Sequence, residues 1–89
     1  MLETTILAQN VSAGLQGTIG DRSPNRGLLQ AEWDVVRSAR APAVLVEVGF
    51  VNNLEEAARL ADPAYLKDVA QGIYNGIKAS IERFEQRQE

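Results

Sequence analysis

The chain has 89 residues, of which 45% are hydrophobic and 24% charged, with a formal net charge of −3. This composition is typical of one small globular domain rather than a disordered chain. Because no basic stripe is present, nucleic acid is excluded as an expected partner. The sequence has no cysteine and no histidine, which excludes disulfides, Cys–His and Ser–His–Asp catalysis, and histidine-containing zinc sites from this polypeptide alone.

The N-terminal segment carries no sign of membrane insertion or export. No apolar run approaches the length that spans a bilayer, and Glu3 stands where a signal peptide needs positive charge. We therefore expect a soluble chain without a membrane span, and any export signal would lie outside it.

Apolar residues at i+4 spacing predict a first helix from Thr4 to about Gln16. Thr4 or Thr5 can cap this helix, and Gly17 can end it. Its stripe consists of Leu7, Val11 and Leu15, with Ala8 beside them. We expect this stripe to pack on one face of a sheet.

A loop is predicted from Thr18 to Gly27, since the stretch is dense in Gly, Pro, Asn, Asp and Ser and has no period. Long loops in compact domains are often functional. Arg22 and Arg26 lie in this loop and can either contact an anionic substrate group or remain solvated. We take Arg26 as the candidate substrate-binding residue.

Two strands are predicted in the middle of the chain. Ala31–Arg37 alternates with period two and places Trp33 toward the core. Ala43–Val48 is apolar except for Glu47 and is typical of a buried strand. The short link between the two strands is too short for a parallel crossover, so if they pair they pair antiparallel.

Two helices are predicted after the strands. Asn53, with Glu56 three residues later, forms a variant of the capping box and predicts a short helix over Leu54–Leu60. Asp62 followed by proline is a second helix start, and that helix should run over Pro63–Glu85.

The last helix has an apolar face and a pair of glycines. The apolar face consists of Leu66, Val69, Ala70, Ile73, Ile77, Ile81 and Phe84. Gly72 and Gly76 reproduce GxxxG spacing, which in a soluble helix we expect to serve a close approach to the sheet. The predicted fold class is therefore α/β, with helices packed on a small sheet.

Glu47 is the residue whose position indicates chemistry. A carboxylate at the end of a core strand is expensive unless it is protonated, paired or beside a cation. Ligands in α/β sheets bind at the C-terminal ends of strands. Two interpretations stay open, a functional carboxylate or a structural ion pair with Arg26, Arg37 or Arg40.

Four segments carry a resemblance to a known family. They are ILAQNV (6–11), NRGLLQAEWDVVR (25–37), PAVLVEVGFVNN (42–53) and LADPAYLKDVAQGIYNGI (60–77). On these segments the chain from Thr5 to about Ile81 resembles the C-terminal half of the catalytic domain of zinc-dependent N-acetylmuramoyl-L-alanine amidases. These cell-wall hydrolases cut the bond between muramic acid and the stem peptide of peptidoglycan.

The resemblance implies roles for two residues. Glu47 corresponds to the catalytic glutamate, which acts beside a zinc-bound water as general base and passes the proton to the leaving amine. Asn53 matches the asparagine after the strand, and we interpret it as a structural helix cap. The resemblance further implies a doubly wound fold, peptidoglycan as the partner and an extracytoplasmic location in the periplasm or cell wall.

The sequence departs from the family in its metal ligands. In the family, zinc is held by two histidines and a glutamate from the preceding half of the domain, and this chain has no histidine. We therefore expect residues 1–89 to be a single partial amidase-like domain, its C-terminal portion without the zinc-ligand half. The chain alone should contain no metal ligand set, bind no zinc and be inactive.

Three hypotheses follow for the role of the chain. It can be part of a peptidoglycan amidase, a non-catalytic module that binds wall fragments or a protein partner, or a structural α/β fragment whose Glu47 is ion-paired. A two-stranded sheet is marginal in isolation. We therefore also expect self-association through the exposed sheet edge.

Overall fold

The computed structural model describes residues 2–23, 27, 42–47, 49 and 53–87. The regular structure of these residues is helical: α1 spans Leu2–Ile19, α2 spans Leu54–Leu60 and α3 spans Pro63–Arg87. Within these ranges, no helix is long and apolar enough to cross a membrane. Helices α1 and α3 pack against each other, and α2 contacts α3.

The predicted α/β fold is wrong for the described part of the chain, which contains helices and no strand. Residues 42–47, most of the predicted central strand, adopt no strand, and none of them is buried. Leu45, for example, is 56% exposed. An apolar run becomes a strand only when a neighbouring backbone supplies its ladder hydrogen bonds. The predicted partner, Ala31–Arg37 with Trp33, lies outside the described residues.

The predicted mode of self-association must be corrected for the same reason. An exposed sheet edge attracts other chains because its N–H and C=O groups are unpaired. The described residues contain no sheet, so they offer no such edge. The physical basis for association through an edge is therefore absent from this part of the structure.

Helix α1 is longer at both ends than its sequence pattern predicts. It begins at Leu2, so the predicted caps Thr4 and Thr5 lie inside the helix, and it continues through Gly17 to Ile19. A glycine in a helix interior costs about 1 kcal/mol relative to alanine. Burial of Ile19 in the core favours the longer helix and offsets this cost.

The contact between α1 and α3 is a close approach of two backbones. A Cβ atom placed on Gly72 would lie 2.9 Å from the Leu15 Cα and 3.0 Å from the Gly14 carbonyl oxygen. One placed on Gly76 would lie 2.7 Å from the Asn10 carbonyl oxygen. The two glycines therefore serve a close approach as predicted, but to helix α1 rather than to a sheet.

The core between these helices is small. It consists of Ile19, Tyr65 and Val69, with Leu15 and Ile73 packed against it. Val69 and Ile73 of the predicted apolar face belong to this core. Further along α3 the small residues Gly76 and Ser80 are buried instead, and the rest of the predicted face points away from α1. Ile77 and Ile81 are consequently 43% and 50% exposed.

The starts of the two C-terminal helices are confirmed. Helix α2 occupies Leu54–Leu60, and α3 begins at Pro63. At the start of α3, the Asp62 Oδ1 accepts a hydrogen bond from the Ala64 N–H at 3.0 Å. These boundaries are set by side chains within a few residues of the helix ends, which explains why the sequence pattern finds them.

Candidate functional site

Glu47 lies at the end of the described segment 42–47, and its side chain is exposed. The prediction of a buried carboxylate is therefore wrong. Glu47 forms no ion pair with any residue that the structure describes. The predicted ion-pair partners Arg26, Arg37 and Arg40 lie outside the described residues. The structure therefore does not test the substrate-binding role predicted for Arg26.

The backbone just after Glu47 packs against helix α2. A Cβ atom placed on Gly49 would lie 3.5 Å from the Leu60 Cδ1, 3.6 Å from the Glu56 Cβ and 3.8 Å from the Glu56 Oε2. Gly49 has a φ of 154°, a conformation that residues with a side chain rarely adopt. Helix α2 therefore forms a wall beside the segment that carries Glu47.

Asn53 begins α2 as its N-cap. Its backbone is extended, with φ −98° and ψ 123°, as N-cap residues require. The Asn53 Oδ1 accepts hydrogen bonds from the Glu55 N–H at 3.0 Å and the Glu56 N–H at 3.1 Å. Two of the amides that a helix start leaves without partners are thereby satisfied.

The burial of Glu56 was not predicted from the sequence. It is only 6% exposed and is the one buried side chain of α2. The capping pattern assigned it a reach back toward Asn53 and gave no reason to expect burial.

Arg22 is exposed, and its guanidinium makes defined contacts with both long helices. It donates hydrogen bonds to the Thr18 carbonyl at 2.9 Å and to the Asp68 Oδ2 at 2.7 Å. Its Cζ lies 5.3 Å from the centroid of the Tyr65 ring, within the range of a cation–π contact. The hydrogen bond to Asp68 is the main cause that raises the pKa of Arg22, so the guanidinium remains cationic. Arg22 thus joins the end of α1 to α3.

The residues that the structure describes do not fit a zinc site. They include no group of three or more side chains that could hold a metal ion, and the sequence supplies neither histidine nor cysteine. Tetrahedral zinc in hydrolases needs three protein ligands of the His, Cys, Asp or Glu type. The described residues therefore bring together no set of zinc ligands.

The sequence pattern of the N-acetylmuramoyl-L-alanine amidase family matches residues 2–79. The match covers most of the chain, including the segment with Glu47 and all of α2. This chain belongs to the N-acetylmuramoyl-L-alanine amidase family.

Individual relatives are consistent with that membership. The chain is 33% identical to N-acetylmuramoyl-L-alanine amidase LytC of Bacillus subtilis over 79% of its length. It is 43% identical to an endolysin of Bacillus phage SPP1 over 60% of its length. It is 33% identical to the probable cell wall amidase LytH of Staphylococcus aureus over 61%.

The matches cover a small part of each relative. They correspond to 14% of LytC, 20% of the endolysin and 19% of LytH. No solved structure matches the chain. Sequence relationship therefore establishes the family, while the chain spans only a small part of the length of these relatives.

Proposed function

We propose that this chain supplies the catalytic glutamate, Glu47, of an N-acetylmuramoyl-L-alanine amidase. The reaction is hydrolysis of the amide between muramic acid and the stem peptide of peptidoglycan. The observation that carries the proposal is the family match over residues 2–79, which includes Glu47. The exposed position of Glu47 supports it, because a group that transfers protons to substrate must be reachable.

The chemistry proposed for Glu47 is general acid–base catalysis. Its carboxylate takes a proton from the attacking water and returns it to the nitrogen of the leaving amine, so that the amine departs neutral. Such transfer by a positioned side chain contributes roughly 10²–10⁴-fold to rate. Arg26 remains our candidate contact for an anionic group of the substrate.

The ligands for the zinc ion of the family are not among the described residues. The resemblance implies a zinc ion held by two histidines and a glutamate from the preceding half of the catalytic domain, where it would supply an activated water. We propose that residues 1–89 act as the C-terminal portion of such a domain. The site of action would be extracytoplasmic, in the periplasm or cell wall, where peptidoglycan lies.

A fusion experiment tests this function. The chain is joined behind the preceding part of the LytC catalytic domain, and amide cleavage of purified peptidoglycan is measured as new stem-peptide amino termini. The wild-type fusion should be active, and Glu47→Gln should lower kcat by at least about 100-fold. Glu82→Gln, an exposed carboxylate on α3, is the matched control and should retain activity.

Two outcomes contradict the proposal. Full activity in the Glu47→Gln fusion removes the catalytic role of that residue. A wild-type fusion that binds peptidoglycan without cleaving it supports instead the non-catalytic wall-binding module.

A further inference from the structure

Helix α3 contains an asparagine–glycine pair near its centre. Asn75 is followed by Gly76, whereas every other asparagine of the chain precedes a residue with a side chain. This dipeptide favours tight turns, and a glycine in a helix interior costs about 1 kcal/mol relative to alanine. Both residues nevertheless lie within α3, which spans Pro63–Arg87. The local sequence therefore disfavours the helix at the point where this pair lies.

Contact with α1 supports the helix at this point. Gly76 is buried, and the two backbones approach so closely that a Cβ atom on Gly14 would lie 3.0 Å from the Gly76 nitrogen. One turn further on, the Asn10 Nδ2 donates a hydrogen bond to the Ser80 Oγ at 3.1 Å. Because tertiary packing supplies most of the stability of helices in proteins, the helical conformation of Asn75 depends on the pairing of α1 with α3.

The chemistry of an asparagine–glycine pair depends on backbone conformation. In a flexible chain, the backbone nitrogen of the glycine attacks the side-chain Cγ of the asparagine. A five-membered imide forms, the Cγ–Nδ2 bond breaks, and ammonia leaves with the proton of the attacking nitrogen. Water then opens the imide at either carbonyl and gives aspartate or isoaspartate. Glycine permits this attack readily because it has no side chain to obstruct the nitrogen or to restrict the backbone.

Helix α3 opposes this reaction in the folded state. In an α-helix the N–H of each residue donates to the carbonyl four residues earlier, so the Gly76 nitrogen is engaged along the helix axis. The Asn75 side chain has a hydrogen bond of its own, since its Oδ1 accepts from the Gln71 Nε2 at 2.8 Å. Asn75 is exposed to water. The helix, rather than access of solvent, therefore limits the reaction.

We propose that Asn75 is a deamidation site that reacts when α3 opens and separates from α1. Local openings occur in folded proteins, with free energies from near zero up to that of global unfolding. The reaction adds one negative charge, and the isoaspartate product lengthens the backbone by one carbon atom at position 75. Because Gly76 is the point of a close approach to α1, the modified α3 should pair with α1 less tightly.

The first test follows deamidation in the 89-residue chain during incubation in mildly alkaline buffer. Peptide mapping by mass spectrometry measures conversion at Asn75, and Asn10, which precedes a valine, is the internal reference. A synthetic peptide of residues 71–80 is too short for a stable helix and gives the unprotected rate. We expect the folded chain to react at least about 10-fold more slowly than the peptide, and the chain unfolded in urea to lose this protection.

The second test weakens the helix contact without changing the reacting pair. Gly14→Ala places a methyl group against the α3 backbone, whereas the methyl group of Gly17→Ala meets no atom of α3 within 4 Å. Gly14→Ala should accelerate conversion at Asn75 by at least about 5-fold. Gly17→Ala, the matched control in the same helix, should react no faster than wild type. If Gly14→Ala does not fold, we expect it to react at the rate of the peptide.

Two results would overturn the proposal. One is conversion of wild type at the peptide rate while circular dichroism shows intact helices, because the helix would then give no protection. The other is an equal rate in Gly14→Ala and Gly17→Ala, because deamidation would then be independent of the contact between α1 and α3. Neither measurement requires amidase activity, so the proposal stands or fails separately from the role of Glu47.

Discussion

Asn10 and Ser80 are 70 residues apart in sequence, yet the Asn10 Nδ2 donates a hydrogen bond to the Ser80 Oγ at 3.1 Å. The Ser80 hydroxyl donates in turn to the Gly76 carbonyl at 2.9 Å. Ser80 is 1% exposed, so this polar pair lies inside the contact between α1 and α3. Buried hydroxyls need partners, and here the partners come from both helices.

A double-mutant cycle on this pair measures its contribution to stability. Asn10→Ala, Ser80→Ala and the double variant are unfolded with urea, and their free energies of unfolding are compared with wild type. We expect a coupling energy of about 0.5–1.5 kcal/mol, the net value of one hydrogen bond. If the changes in the two single variants add up to the change in the double variant, the hydrogen bond between Asn10 and Ser80 contributes no coupling energy.

The close approach of α1 and α3 predicts opposite effects for two glycine substitutions. In Gly76→Ala the new methyl group meets backbone atoms, with the Asn10 oxygen and Val11 nitrogen both 2.7 Å away. Backbone cannot move aside cheaply, so the free energy of unfolding should fall by about 1–3 kcal/mol. In Gly17→Ala no atom beyond the adjacent residues and the nearby backbone of α1 lies within 4 Å of the methyl group, and the variant should be about 0.4–1 kcal/mol more stable.

Both variants replace a helical glycine by alanine, so helix propensity cancels in the comparison. The measurement is again urea denaturation followed by circular dichroism. Equal changes in the two variants would contradict the packing of α1 against α3 that the structure shows.

The sequence predicts helix starts that are set by local capping side chains, and it misses helix ends that depend on contacts with distant residues. Helices α2 and α3 start where Asn53 and Asp62 bond to amides two or three residues away. The end of α1 was predicted at Gly17 because glycine favours termination. Its actual extension to Ile19 depends on contacts with residues near the start of α3, which periodicity along one helix does not report.

The candidate site divides in the same way. The pattern around Glu47 identifies a chemically distinctive residue, but its prediction of burial assumed a sheet that the described residues do not form. Glu56 was visible only as a capping residue, since its contact with Gly49 depends on how α2 folds back over the preceding segment. Local hydrogen-bonding chemistry is encoded in short spacings, whereas burial is decided by the whole chain.

Loss of the Asn53 cap should destabilise α2. Asn53→Ala removes the acceptor for two amides and should lower the free energy of unfolding by about 1 kcal/mol. Asn53→Ser keeps an N-cap acceptor and should lie close to wild type. Amide hydrogen exchange in α2 should accelerate in the alanine variant alone, and unchanged exchange there would show that α2 is held by its packing instead.

The final prediction concerns the contact of Arg22 with Asp68 and Tyr65. The Arg22 Nη2 lies 2.7 Å from the Asp68 Oδ2, and the two side chains are 39% and 45% exposed. Screening by salt should therefore weaken this ion pair. We expect Arg22→Gln to lower the thermal midpoint at low salt and to differ less from wild type at about 1 M NaCl. Arg83→Gln makes the same charge change at an exposed position of α3 and should have a smaller effect at low salt.

The pH dependence of this contact follows from the pKa of Arg22, which the hydrogen bond to Asp68 raises. A group whose pKa is raised on folding stabilises the protein below its unfolded pKa and loses that effect only as pH rises through the folded value. Arginine ionises far above neutrality, so the effect of Arg22→Gln should be constant between about pH 6 and 9. An effect that disappears within this range, or that is equally large in Arg83→Gln, would show that Arg22 acts through general charge rather than through its bond to Asp68.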